Sequence, residues 1–192
     1  ADAEAKVTIK AVGQKRTYTI SGIAGNDFPE IPPPPSGAMS IALTVEAFAL
    51  LMSRTHFSIC LDATRPNVNS ALFECEGSLV RMVSTDGHRL TKQEVAAVDV
   101  GHASALIPIR AIAELRRLMS EAKTGTLTIR LSSTTAFFDV GGLLFSCKLI
   151  DAMFPPYAQV LPTRTDVAVR FPRLGLLDAL KAIELASNDK TG

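Results

Sequence analysis

The chain has 192 residues, 47% hydrophobic and 20% charged, with 20 Lys and Arg against 19 Asp and Glu and a formal net charge of +1. That length and a mean hydropathy of +0.22 exclude a disordered chain and allow a full core, and no run of about 18 apolar residues offers a membrane-spanning helix. The near-neutral balance excludes a chain coated in basic charge. It leaves open one that gathers Lys and Arg on a single face, where the local field is what a nucleic acid meets.

Taken in chain order, Ala1-Asp2-Ala3-Glu4-Ala5-Lys6 lacks a basic region followed by an apolar stretch, so no signal peptide is expected. Val7-Thr8-Ile9-Lys10, a turn at Gly13 and Thr17-Tyr18-Thr19-Ile20 read as two alternating strands that lead to Asp27-Phe28-Pro29. Pro32-Pro33-Pro34-Pro35 is a stiff extended spacer. A helix is predicted from Thr44 to His56, with Thr44 as N-cap and Val45, Phe48, Leu51 and Met52 at helical spacing. Ala71–Glu76 and Leu79–Ser84 form a hairpin punctuated by Glu76-Gly77. Thr85-Asp86-Gly87-His88-Arg89-Leu90 follows, a tight turn whose glycine is free to take a positive φ. A second helix is predicted from Ile109 to Ala122, with a buried stripe of Ile112, Leu115, Leu118 and Met119 and a stop at Gly125. Strands continue to Leu149, and a third helix is predicted from Leu174 to Ala186 on a stripe of Leu177, Leu180, Ile183 and Ala186. The order helix, strands, helix, strands in the middle of the chain predicts an antiparallel sheet with two helices on one face, an α+β fold.

Residues 6–31 and 126–157 share a strand pattern that closes on Phe-Pro and leads into a helix. The period is roughly 126 residues, the size of a domain rather than of a solenoid repeat. The expected division is residues 1–35 as the last strands of one repeat with its linker, 36–162 as a complete central domain, and 163–192 as the start of another. A fragment of a longer protein is therefore expected.

Three readings of the chemistry compete. Ser84, Asp86 and His88 lie close in sequence, but no Gly-x-Ser-x-Gly occurs and a triad needs a separately placed acid and an oxyanion hole, so no catalytic residue is assigned. His56, His88 and His102 are scattered and no Cys-x-x-Cys occurs, so neither metal nor cofactor is expected. No Gly-x-x-x-x-Gly-Lys-Ser/Thr is present, which excludes an ATP-driven loader. Cys60, Cys75 and Cys147 are odd in number and far apart, which favours reduced thiols in a cytoplasmic protein.

The hairpin followed by Thr-Asp-Gly-His-Arg-Leu resembles the central domain of the bacterial DNA sliding clamp, the β subunit of DNA polymerase III. Asp27-Phe28-Pro29, Thr64-Arg65-Pro66, Asn69, Pro108 before Glu114-Leu115, and Lys148-Leu149-Ile150-Asp151-Ala152-Met153-Phe154-Pro155 stand in the family's order. Ala152 replaces a usual Gly and Pro156 a usual Asp. The resemblance implies the DNA-clamp fold, antiparallel sheets with two helices on one face per domain. It implies a homodimeric ring around double-stranded DNA, bound without regard to sequence, that tethers the polymerase III α subunit, the clamp loader and other clamp-binding-motif proteins. It places Val68, Thr85, Gly87, His88, Arg89, Leu90, Pro155 and Val160 in the partner-peptide pocket.

Arg110 and Arg117 lie seven residues apart on one helix face, with Arg116 beside them and Arg54 on the polar side of the first helix. In a ring they would face DNA, since sliding needs phosphate contacts without base contacts. By themselves they read rather as the solvated side of amphipathic helices, and the turn as an ordinary bend with His88 exposed and Leu90 in the core. A stand-alone, clamp-derived peptide-binding module that never encircles DNA is the alternative to the ring.

Overall fold

The computed structural model describes residues 5–30, 32–163 and 166–184. The chain divides into two compact units, Ala1–Pro155 and Pro156–Gly192.

In the first unit, β1 (Lys6–Lys10) and β2 (Thr17–Ser21) form a two-stranded antiparallel sheet. The register sets Val7 opposite Ile20 and Ile9 opposite Tyr18, so these four side chains share one face. All four are more than half exposed.

The rest of the unit carries α1 (Val45–Thr55), α2 (Ile109–Ala122) and eight strands: β3 (Met39–Thr44), β4 (Ser70–Glu76), β5 (Leu79–Thr85), β6 (Leu90–Ala96), β7 (His102–Pro108), β8 (Thr126–Leu131), β9 (Thr135–Val140) and β10 (Leu143–Lys148). The strands make two four-stranded antiparallel sheets rather than one, in the orders β10-β9-β8-β3 and β6-β5-β4-β7. Each sheet turns one face to a common core. Ala71, Phe73, Cys75, Val80, Met82 and Ile107 come from one, and Ile41, Leu43, Leu127, Ile129 and Phe138 from the other. The register makes these residues cross-strand neighbours, as in Phe73 opposite Met82 and Ile129 opposite both Ile41 and Phe138.

Both helices lay their apolar stripes on that core. Phe48 of α1 is fully buried and meets Phe73 of one sheet (centroids 6.3 Å, edge-on) and Phe138 of the other (5.7 Å). One side chain thus ties the two sheets together. The α1 cap is as its sequence predicts, with the Ala47 amide donating to Thr44 Oγ1 at 3.1 Å. In α2, Ile112, Leu115, Leu118 and Met119 are all buried, each stabilising by roughly 1.5–3 kcal/mol relative to exposure. The helix ends at Ala122 as predicted, where Lys123 turns to φ +60 while its amide still bonds Met119 O.

The second unit holds a short 3-10 turn, Tyr157–Gln159, and α3 (Arg173–Glu184). Leu174, Leu177, Leu180 and Ile183 of α3 are exposed. Ala186, the end of the predicted stripe, lies outside the described residues.

Candidate functional site

The hairpin β4–β5 delivers the chain to the turn between β5 and β6. Along β5, Val80 and Met82 face the core, and so does Ser84, whose hydroxyl donates to Thr55 O of α1 at 2.5 Å. Thr91 of β6 pairs with Ser84 and also reaches Thr55 O, at 3.3 Å. Side chains alternate along a strand, so Thr85 and its partner Leu90 occupy the opposite face, away from the helices. They extend a row of cross-strand neighbours, Leu72, Val83 and Leu106, on that face.

Between Thr85 and Leu90 the backbone is held at nearly every residue. Thr85 Oγ1 accepts from the Gly87 amide at 3.1 Å and donates to Arg89 O at 2.8 Å. Asp86 Oδ1 accepts from the amides of His88 (2.9 Å) and Arg89 (3.0 Å), and Oδ2 accepts from Arg89 Nε at 3.0 Å. This is an Asx-turn, the local bond that Asp makes to its own backbone. Those two amides, with the Arg89 guanidinium, hold the Asp86 carboxyl down at about 2. Gly87 takes φ +96, a conformation that other residues adopt only at a cost.

A second loop braces the first. Cys60 N donates to Val68 O at 3.0 Å, and Asn69 Nδ2 donates to Cys60 O at 2.5 Å, which closes the segment between them. Asp62 caps that segment through Thr64, whose amide and hydroxyl lie at 2.9 and 2.7 Å and lower its carboxyl. From it Arg65 reaches across to donate to Asp86 O at 3.5 Å, and its guanidinium lies 3.7 Å from where a Cβ on Gly87 would stand. Arg65 was legible only as part of Thr64-Arg65-Pro66; its place beside the turn is a tertiary fact.

The predicted pocket residues therefore fall into groups. Thr85, Gly87, His88, Arg89 and Leu90 are brought together by the turn, with Gly87, His88 and Arg89 exposed and Leu90 half-buried. Val68 stands at the base of the neighbouring loop and is 1% exposed, a packed residue rather than an open wall. Pro155 is half-buried at the end of the first unit. Val160 belongs to the second unit, just after its 3-10 turn, and is 69% exposed.

The three side chains that tempt a catalytic reading do not converge. The Ser84 hydroxyl is fully buried and spent on Thr55 O, while the Asp86 carboxylate is spent on the turn amides. Among the described residues, no group of three or more His, Cys, Asp or Glu could hold a metal. Burial pushes the thiols of Cys75 and Cys147 up to about 11, so both stay protonated at neutral pH.

The predicted cationic residues all lie on the helical side. Arg54 on α1 and Arg110, Arg116 and Arg117 on α2 are exposed. They are not equivalent. Arg117 lies between Glu114 (Nη2 to Oε1, 2.6 Å) and Glu121, both on its own helix. Its charge is offset locally, which spacing along one face did not reveal. Among the described residues Arg110 and Arg116 have no ion pair.

A family model described as the DNA polymerase III beta subunit, central domain, matches residues 42–156. The beta sliding clamp of Pseudomonas aeruginosa is 32% identical over 189 residues, 97% of this chain and 50% of the relative. That of Escherichia coli is 29% identical over 90% of this chain and 47% of its own length. A crystal structure of the Pseudomonas aeruginosa clamp bound to griselimycin superposes with a TM-score of 0.84 at 31% identity, over 97% of this chain and 50% of that one. The Bacillus subtilis clamp shares the fold with a TM-score of 0.87 at 18% identity, over 99% of this chain and 50% of its own. The chain spans about half the length of the relatives it matches.

Proposed function

Because the chain belongs to the DNA polymerase III beta subunit family, the beta sliding clamps, we propose that it forms the central part of a replicative processivity factor. In this reading the protein is a non-catalytic, cytoplasmic homodimeric ring. The helical face looks toward double-stranded DNA, and the turn Thr85–Leu90 grips peptides of the polymerase α subunit, the clamp loader and other partners. Residues 36–162 are the complete domain, flanked by parts of a first domain (1–35) and a third (163–192). The exposed apolar faces of the β1–β2 ribbon and of α3 support that division, since apolar faces of this kind are ordinarily covered by the remainder of a domain.

One observation carries the pocket: Thr85 and Asp86 fix the turn before any partner arrives. A flexible peptide loses chain entropy on binding, and a rigid receptor keeps that cost to one side. Leu90 on the outer face supplies an apolar seat; His88 and Arg89 supply a polar edge. Arg54, Arg110 and Arg116 supply phosphate contacts that carry no sequence information.

The test is a titration of the full-length protein with a peptide bearing the clamp-binding motif. His88→Ala with Leu90→Ala is expected to weaken binding by about tenfold or more, with the thermal midpoint little changed because neither side chain lies in the central core. Unchanged affinity overturns the assignment.

A further inference from the structure

The helical side of the first unit holds a cavity of about 370 Å³ between the end of α1 and the start of α2. That size lies within the roughly 300–1,000 Å³ of ligand sites. Leu90 and the other apolar residues of the proposed peptide seat do not line it, although Arg89 borders both. Phe57, Leu61 and Ile109 supply an apolar surface over the buried Ile59 and Ile112, and His56, Arg89 and Arg116 supply polar groups. No lining residue is acidic. Arg89 uses Nε on Asp86, which leaves its terminal nitrogens without a protein partner among the described residues. His56 Nδ1 donates to Met52 O at 3.0 Å, since a carbonyl only accepts, and this leaves Nε2 for a ligand. Phe57 is 48% exposed.

We propose that this cavity takes one unpaired nucleotide of a DNA strand, with the base against Phe57, Leu61 and Ile109 and the flanking phosphates on Arg89 and Arg116. The proposal rests on the reading that DNA passes the helical face. Duplex DNA keeps its bases stacked inside and presents phosphates, so it would leave the apolar surface uncovered. An unpaired nucleotide offers both a flat apolar ring and an anion, the pairing that single-strand sites use. Charge continuity favours a polyanion over a short acidic peptide: the exposed Arg110 directly follows Ile109 of the cavity wall, and Arg54 lies on the adjacent helix.

The experiment follows the isoleucine methyl resonances of the 192-residue chain during titration with octathymidylate, an abasic octamer, a short blunt duplex and the peptide acetyl-Glu-Phe-Glu-amide. Octathymidylate is expected to shift the methyls of Ile59, Ile109 and Ile112. The abasic strand is expected to bind at least about fivefold more weakly. Phe57→Ala and Arg116→Gln, both at exposed positions, are each expected to weaken octathymidylate binding while the remaining spectrum stays folded. Unmoved methyls, equal binding of the abasic strand or the duplex, or tighter occupation by the peptide overturns the proposal. Failure of the ring itself would appear elsewhere, as lost retention of the full-length protein on circular duplex DNA, a measurement that does not need the cavity.

Discussion

The turn Thr85–Leu90 and the outer face of α2 both present exposed arginine, yet they are built in opposite ways. In the turn, Thr85 and Asp86 between them bond three backbone amides and one carbonyl, and Arg65 braces the bend from another loop. On α2, Arg117 bonds only glutamates of its own helix, and Arg110 and Arg116 have no ion pair among the described residues. A site that selects a peptide needs atoms fixed to within a fraction of an ångström. A face that lets DNA slide needs only charge at the right height, and fixed contacts to bases would hinder it. Under the proposed function, the fixed turn suits a peptide seat and the unpinned cations of α2 suit a sliding contact.

Substituting Gly87 probes this contrast most directly. Its φ of +96 is costly for alanine, at about 1–2 kcal/mol, although the nearest atoms, on the Arg65 guanidinium, are at ordinary contact distance. Gly87→Ala is expected to weaken partner-peptide binding by about tenfold while leaving retention on circular DNA unchanged. Equal loss of both would show that the two regions are not independent.

On the helical face the expected effect is smaller and of opposite sign. Glu114→Gln with Glu121→Gln releases Arg117 from its two carboxylates. The assembled ring is then expected to hold DNA more tightly at low salt, with a slope of log affinity against log salt steeper by about one. Fold stability should barely change, because exposed pairs of this kind contribute little. An unaltered slope would mean that Arg117 does not reach phosphate.

The smallest effect is in the pH response of the turn. The folded state holds the Asp86 carboxyl at about 2, below the ordinary value of about 3.9. The charged form is therefore the one that the turn favours. Its contribution is fully present above about pH 4 and fades as pH falls through about 2. The amide resonances of His88 and Arg89 should stay fixed from pH 7 to about pH 4 and move together below it, with the α2 amides as the control. Amides that do not move together below about pH 4 would show that Asp86 does not hold the turn.

Much of the scaffold was legible because its signals are local. Thr44 followed by apolar residues at helical spacing marks α1, and the stripe Ile112, Leu115, Leu118, Met119 marks α2. The β4–β5 hairpin follows from alternation around Gly77, and β8, β9 and β10 from theirs. Three strands carry weaker local signals. The β3 strand runs straight into α1 with no turn between them, β6 reads Leu-Thr-Lys-Gln-Glu-Val-Ala with little alternation, and β7 is rich in alanine and ends on proline. Their strand state comes from ladders with β8, β5 and β4, partners distant in sequence or settled only by register.

The sequence by itself determined the helices, the main hairpin, the Asp-Gly turn and the family, since capping, periodicity and turn chemistry act over a few residues and the family's motifs stand in order. Only the tertiary structure decided that the strands divide into two sheets joined through Phe48, that Arg65 supports a turn 21 residues away, and that Val68 is packed rather than open. It also decided that Arg117 is offset by carboxylates while Arg116 borders a cavity. Each of these depends on which side chains meet across the fold, and spacing along the chain does not encode distance between elements.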